Sequence, residues 1–181
     1  MVKAHWETAA LRVGVIVAAV GLLLTGCTKG STGIQPLPGA SRDTTPSRSP
    51  VAEAAGALAA YRAMWGDLAA AAKSSDASHP GLGTHASGAA LQLLRHMMTK
   101  DREKDVVTKG RLRVYPSVED SGPAKVVIRD CADAADWLHY TTDGKLENAV
   151  PGGHHRIDAT VLQRGDRWRV DQLYIGQVGS C

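Results

Sequence analysis

Three cysteines and seven histidines are the side chains of this 181-residue chain best suited to covalent or metal chemistry. A thiolate can carry a group, close a disulfide or bind zinc, and each of Cys27, Cys131 and Cys181 needs an account. Structural zinc takes four N or S ligands at close spacing, and no CxxC and no His cluster at ligand spacing accompanies these cysteines. His154 and His155 are adjacent, so on a strand they face opposite ways and do not chelate together. His79, His85 and His96 surround a predicted helix, and His139 sits in a predicted hairpin. No H-E-x-x-H, no G-x-S-x-G and no Gly-rich phosphate loop occurs. These residues therefore assign no catalytic group, no metal site and no cofactor.

The surroundings of Cys27 are more informative. Lys3 and Arg12 lie in a short polar segment, followed by the apolar run "VGVIVAAVGLLL". That run is about a dozen residues, too short for a bilayer span of roughly 20 and suited to the core of a secretory signal. It ends in Leu24-Thr25-Gly26-Cys27, which resembles the lipobox of bacterial lipoproteins. The resemblance covers residues 1–27. It implies that Cys27 receives a diacylglycerol and that the signal, residues 1–26, is cut just before it. Each buried methylene contributes about 0.8 kcal/mol, so two long chains would hold the protein to the membrane.

Residues 27–50 comprise that cysteine and a stretch rich in Gly, Ser, Thr and Pro, whose large apolar residues are Ile34 and Leu37. Such a stretch buries too little surface to offset its ordering entropy and is expected to be a disordered tether. Residues 51–181 then have the size of one domain. The formal net charge of +3 is no nucleic-acid signature.

The elements of that domain follow from periodicity. Val51, Ala55, Leu58, Tyr61, Trp65, Leu68 and Ala72 recur every three or four residues, predicting a helix with a core-facing stripe, started by Ser49 or Pro50. "SSDASHPGLGTHASG" breaks it. A second helix carries Leu91, Leu94, Met97 and Met98 on its buried side and ends in the solvated charges of "KDREKD". From Val106 the period becomes two. Val106 to Tyr115, "KVVIRD", two short strands about Asp143-Gly144, "RIDATVLQ" and "WRVDQLYIGQV" predict five or six antiparallel strands. Two helices followed by strands read as an α+β domain, the helices packed on one face of the sheet.

The order of elements, together with "VVIRDCADAADWLHY", "DGKL" and "ATVLQRGDRWRVDQLYIGQVGSC", resembles actinobacterial secreted proteins and lipoproteins with a cone-shaped, nuclear transport factor 2-like (cystatin-like) domain. The resemblance covers Val51 to Cys181 and is carried best by Asp130-Cys131, Trp137, Trp168-Arg169-Val170 and Cys181. It implies helices over a curved sheet more firmly than any activity. An exported chain meets oxidising conditions, and with Cys27 lipidated the remaining pair, Cys131 and Cys181, is expected to form a disulfide.

Enzymes of this fold include ketosteroid isomerase-like and polyketide cyclase-like proteins, which use an Asp base and an acidic Tyr in an apolar pocket. Asp130, Asp136, Tyr140, Asp171 and Tyr174 are residues of the right types, none of them alignable with a catalytic pair. The sequence therefore favours a non-enzymatic accessory domain on the outer face of the cell membrane. Its expected partners are the membrane, through the lipid on Cys27, and an envelope protein or small apolar ligand, with the small isomerase or cyclase as the alternative.

Overall fold

The structure is a computed structural model that describes residues 49–148 and 150–181. Cys27, the expected signal segment and nearly all of the expected tether lie outside the described residues. None of the described helices is long and apolar enough to cross a membrane.

Helix α1 spans Pro50–Ala72 and is capped by Ser49, whose hydroxyl accepts from the Ala52 N–H at 3.3 Å. A helical turn, α2, covers Leu82–His85, and α3 spans Gly88–Glu103. Six strands follow: β1 Val106–Lys109, β2 Ser117–Gly122, β3 Lys125–Asp133, β4 Leu138–Thr141, β5 His154–Arg164 and β6 Arg167–Val178. They form two antiparallel sheets, one of four strands in the order β2-β3-β5-β6 and a small one of β1 with β4. The α+β order expected from periodicity is present, with its strands divided between two sheets.

The core lies between α1, α3 and one face of the larger sheet. Tyr61, Met64, Leu68, Leu94 and Met98 from the helices meet Val126, Ile128, Ile157, Val161 and Val170 from the strands. The alternation in "RIDATVLQ" is realised, since Ile157, Ala159 and Val161 are all buried. The stripe on α1 is displaced from its expected start. Val51 and Ala55 are exposed, and core contact begins at Ala57. Register shifts in β5 and β6, between His155 and Ile157 and between Thr160 and Val161, are bulge-type irregularities that bend the strands.

Two strand expectations are corrected. The strand read over Val106 to Tyr115 stops at Lys109, because Gly110 turns the chain at φ 103° and a Cβ there would overlap the Asp136 carbonyl oxygen. Leu112 and Val114 still pack on the core while Arg111, Arg113 and Tyr115 are exposed, so the alternation survives without a ladder. The Asp143-Gly144 turn is present, with Gly144 at φ 89°, but among the described residues its return arm forms the isolated bridge Tyr140↔Leu146 in place of a second strand. The partner of β4 is β1, in the register Thr108↔His139.

Cys131 in β3 and Cys181 at the chain end are joined as a disulfide, with Cα atoms 5.9 Å apart. The tail reaches β3 by turning at Gly179, φ 79°, whose N–H donates to the His154 carbonyl at 2.8 Å. Ser180 continues it by accepting from the Arg156 N–H at 2.8 Å.

Candidate functional site

A half-open cavity of about 550 Å³ lies between the helices and the bent end of the sheet. Trp65 and Leu68 enter it from α1, one helical turn apart, and Met97 from α3. Ile157 of β5 and Ile175 of β6 form the floor. Leu138 and His139 of β4, with Leu112, Trp137 and Asn148, form the rim. Among the described residues no carboxylate, lysine, arginine or tyrosine lines it. Volume and lining are those of a site for a small, mostly apolar molecule.

The rim is held by polar clips outside the apolar wall. Arg113 Nη1 donates to Asp133 at 2.9 Å and Nη2 to Asp136, while the Arg113 and Asp133 backbones exchange hydrogen bonds of 2.8 and 2.9 Å. This fixes Leu112 over the end of β3. The Ala135 N–H, then the Arg113 guanidinium, hold the Asp133 carboxyl below its usual range. Beside this clip the Ala134 N–H donates to the Gly153 carbonyl at 2.8 Å, and a Cβ at Gly152 would overlap the Ala134 carbonyl oxygen. Both ring nitrogens of His155 face carbonyl oxygens, Nδ1 that of Gly176 at 2.8 Å and Nε2 that of Gly152 at 3.1 Å. His155 thereby ties the rim loop to β6.

His139 is the other ionisable wall residue. Its Nδ1 lies 3.1 Å from Glu147 Oε2, and its Nε2 lies 3.9 Å from Asp101 Oδ1. The Asp101 side chain is only 13 % exposed. Burial raises its carboxyl above the ordinary value, against the opposing charge of His139. This corrects the reading of "KDREKD" as wholly solvated: Lys100, Arg102, Glu103, Lys104 and Asp105 are exposed, and Asp101 turns inward. Glu147 was not singled out from the sequence, although it lies across the Asp143-Gly144 turn from His139, a spacing that a hairpin register would bring together.

The carboxylates and tyrosines available for an isomerase-like site are not assembled in the cavity. Asp136 is exposed and paired with Arg113. Tyr140 lies under Lys109 Nζ, 4.9 Å from the ring centroid. Asp171 accepts from Ser87 at 3.0 Å, and Tyr174 is 61 % exposed. Asp130 is buried outside the lining, where it accepts from the Tyr61 hydroxyl at 2.9 Å and the Tyr115 N–H at 2.7 Å. Its partner Tyr61 was legible only as a core residue. Burial first, then the Asp130 charge, raise the Tyr61 phenol far above its ordinary range, so it stays protonated.

The remaining histidines are dispersed. His85 Nδ1 lies 2.7 Å from Asp67, His79 accepts from the Gly81 N–H, and His96 is exposed. His154 is exposed while His155 is half-buried, as their adjacency on one strand requires. Among the described residues no group of three His, Cys, Asp or Glu could hold a metal ion.

No protein-family model and no curated protein matches this chain. Solved structures similar to it include Aln2 from a Streptomyces species, at 12% identity over 72% of this chain and 93% of that one, TM-score 0.48. A protein of unknown function with a cystatin-like fold from Nostoc punctiforme is 9% identical over 68% of this chain and 92% of that one, TM-score 0.44. An uncharacterized protein with a cystatin-like fold from Caulobacter vibrioides is 14% identical over 71% and 92%, TM-score 0.43. These scores are low, and the α+β architecture stands on its own strand pairing.

Proposed function

We propose that this chain is a lipid-anchored extracytoplasmic protein whose domain binds a small apolar molecule without transforming it. The observation that carries the binding half is the cavity of about 550 Å³ walled by Trp65, Leu68, Met97, Trp137, Ile157 and Ile175. The anchoring half rests on Leu24-Thr25-Gly26-Cys27 behind a short apolar run. That the bound molecule is left untransformed is supported by the lining, which among the described residues includes neither an Asp or Glu base nor a Tyr donor.

The magnitudes are adequate for binding. A neutral dye burying roughly 400 Å² of apolar surface gains on the order of 10 kcal/mol gross. Association costs at least about 4 kcal/mol. The remainder of about 6 kcal/mol corresponds to a Kd of tens of micromolar. Titration of the full chain with the neutral dye Nile red tests the reading. Saturable binding with a blue-shifted emission at one dye per chain is expected, and emission that never saturates contradicts it.

A further inference from the structure

Four residues of the cavity wall, His155 and Ile157 of β5 with Ile175 and Val178 of β6, surround one irregularity of the sheet. His155 pairs with Val178 and Ile157 with Ile175, so Gly176 and Gln177 stand opposite Arg156 alone. A bulge of this kind bends the strands and re-aims the side chains beside it. The shape of this end of the cavity therefore depends on what holds the bulge.

The C-terminal tail holds it. The Gly179 N–H donates to the His154 carbonyl at 2.8 Å, and the Arg156 N–H donates to Ser180 Oγ at 2.8 Å. Ser180 is seated so close to β6 that a Cβ at Gly176 would meet its Oγ. The Gly176 carbonyl in turn faces Nδ1 of the wall residue His155 at 2.8 Å. Cys181 then joins Cys131, the β3 residue paired with Arg156. Cys131 alternates with the buried Asp130 and Ala132, so the tail crosses β5 on the face away from the core. Residues 178–181 thus form a strap from β6 over the bulge to β3, and the disulfide fixes its far end.

We propose that the Cys131–Cys181 disulfide governs the cavity, an inference that rests on the cavity reading above. Oxidised, it holds the tail over the bulge and keeps the wall in its binding form. Reduced by a dithiol, it frees the tail and weakens the hold on the occupant. Cys181 is exposed and Cys131 half-buried, so an attacking thiolate reaches Cys181. It bonds to the Cys181 sulfur as the Cys131 sulfur leaves and takes a proton. The second thiolate of the reagent then displaces Cys181, which takes the other proton, and the dithiol ends as a disulfide. Two electrons and two protons pass to the protein.

Nile red is titrated into the full chain when oxidised, in excess dithiothreitol, and after re-oxidation, with circular dichroism following the fold. The folded reduced protein should bind the dye at least about fivefold more weakly, within the usual range for coupling between two sites. Re-oxidation should restore the affinity, and Cys181→Ser should match the reduced protein with or without dithiothreitol. A bond that only stabilised the fold would lower the unfolding midpoint and leave the dye affinity of the folded protein unchanged. Ser180→Ala keeps the disulfide and removes the acceptor of the Arg156 N–H, so it carries the test if reduction unfolds the domain, and it should bind severalfold more weakly than the wild type. Equal affinity of the oxidised and the folded reduced chain overturns the inference and leaves the cavity reading standing. Where reduction unfolds the domain, equal affinity of Ser180→Ala and the wild type does the same. If the oxidised wild type shows no saturable binding, both fall.

Discussion

Tyr61 on α1 donates its phenolic hydrogen bond to Asp130 of β3 at 2.9 Å, across 69 residues of chain. This is the polar pin between the first helix and the central strands. Asp130 is 3 % exposed and, among the described residues, pairs with no cation. Its charge is carried by two hydrogen bonds alone, from Tyr61 and from the Tyr115 N–H. A buried carboxylate in that position is costly to leave under-satisfied.

Tyr61→Phe should therefore destabilise the domain by about 2 kcal/mol, the range for a hydrogen bond to a charged group. The pH dependence has a definite sign. The folded-state pKa of Tyr61 is raised above its ordinary 10.0, so its contribution is complete below that value. Above it the unfolded chain ionises first, and stability is lost as pH rises. Denaturant melts at neutral and alkaline pH check this: the wild type should lose more stability than Tyr61→Phe on passing above pH 10.

Reducing the Cys131–Cys181 bond should cost about 4 kcal/mol in the chain-entropy model for a loop spanning a sequence separation of 50 residues. Melts with and without reductant, on protein whose disulfide has been verified by non-reducing mass analysis, measure it. Equal midpoints would show that the tail contributes nothing to the fold.

The legible parts of the fold were those with a local signal. The spacing of Tyr61, Trp65 and Leu68 and the alternation of Ile157, Ala159 and Val161 each reported a buried face directly, because helix and strand periods differ. The β1–β4 sheet was not legible. Its strands have four residues each and pair Val106 with Thr141, which no local pattern encodes. At the site, apolar wall residues were mostly read as core, and Trp65 is both. Asp101 was hidden because helix-end charges are usually solvated, and its inward turn depends on side chains from two distant strands, Thr108 of β1 and His139 of β4.

Trp65→Ala should cost about 3 kcal/mol, the lower end of the range for buried Trp truncation, because one side of the ring already borders the cavity. A melt of the variant beside the wild type decides it. A loss below about 1 kcal/mol would mean that Trp65 is not part of the core.

Cys27→Ala tests the anchor. The wild-type chain should partition with membranes after detergent-free washing, and the variant should be released or left unprocessed at its signal. Retention of a processed variant to the same extent would contradict lipidation at Cys27.

The central claim is that the cavity is a binding site, and filling it is the most direct measurement. Ile175 lies on its floor, half-buried in β6, whereas the neighbouring Tyr174 is 61 % exposed and does not line it. Nile red titrations of the full-length wild type, Ile175→Trp and Tyr174→Trp should give one saturable site in the wild type and in Tyr174→Trp, and at least about tenfold weaker binding in Ile175→Trp. Circular dichroism on each protein shows whether the fold is kept. Undiminished dye binding by a folded Ile175→Trp would contradict the account.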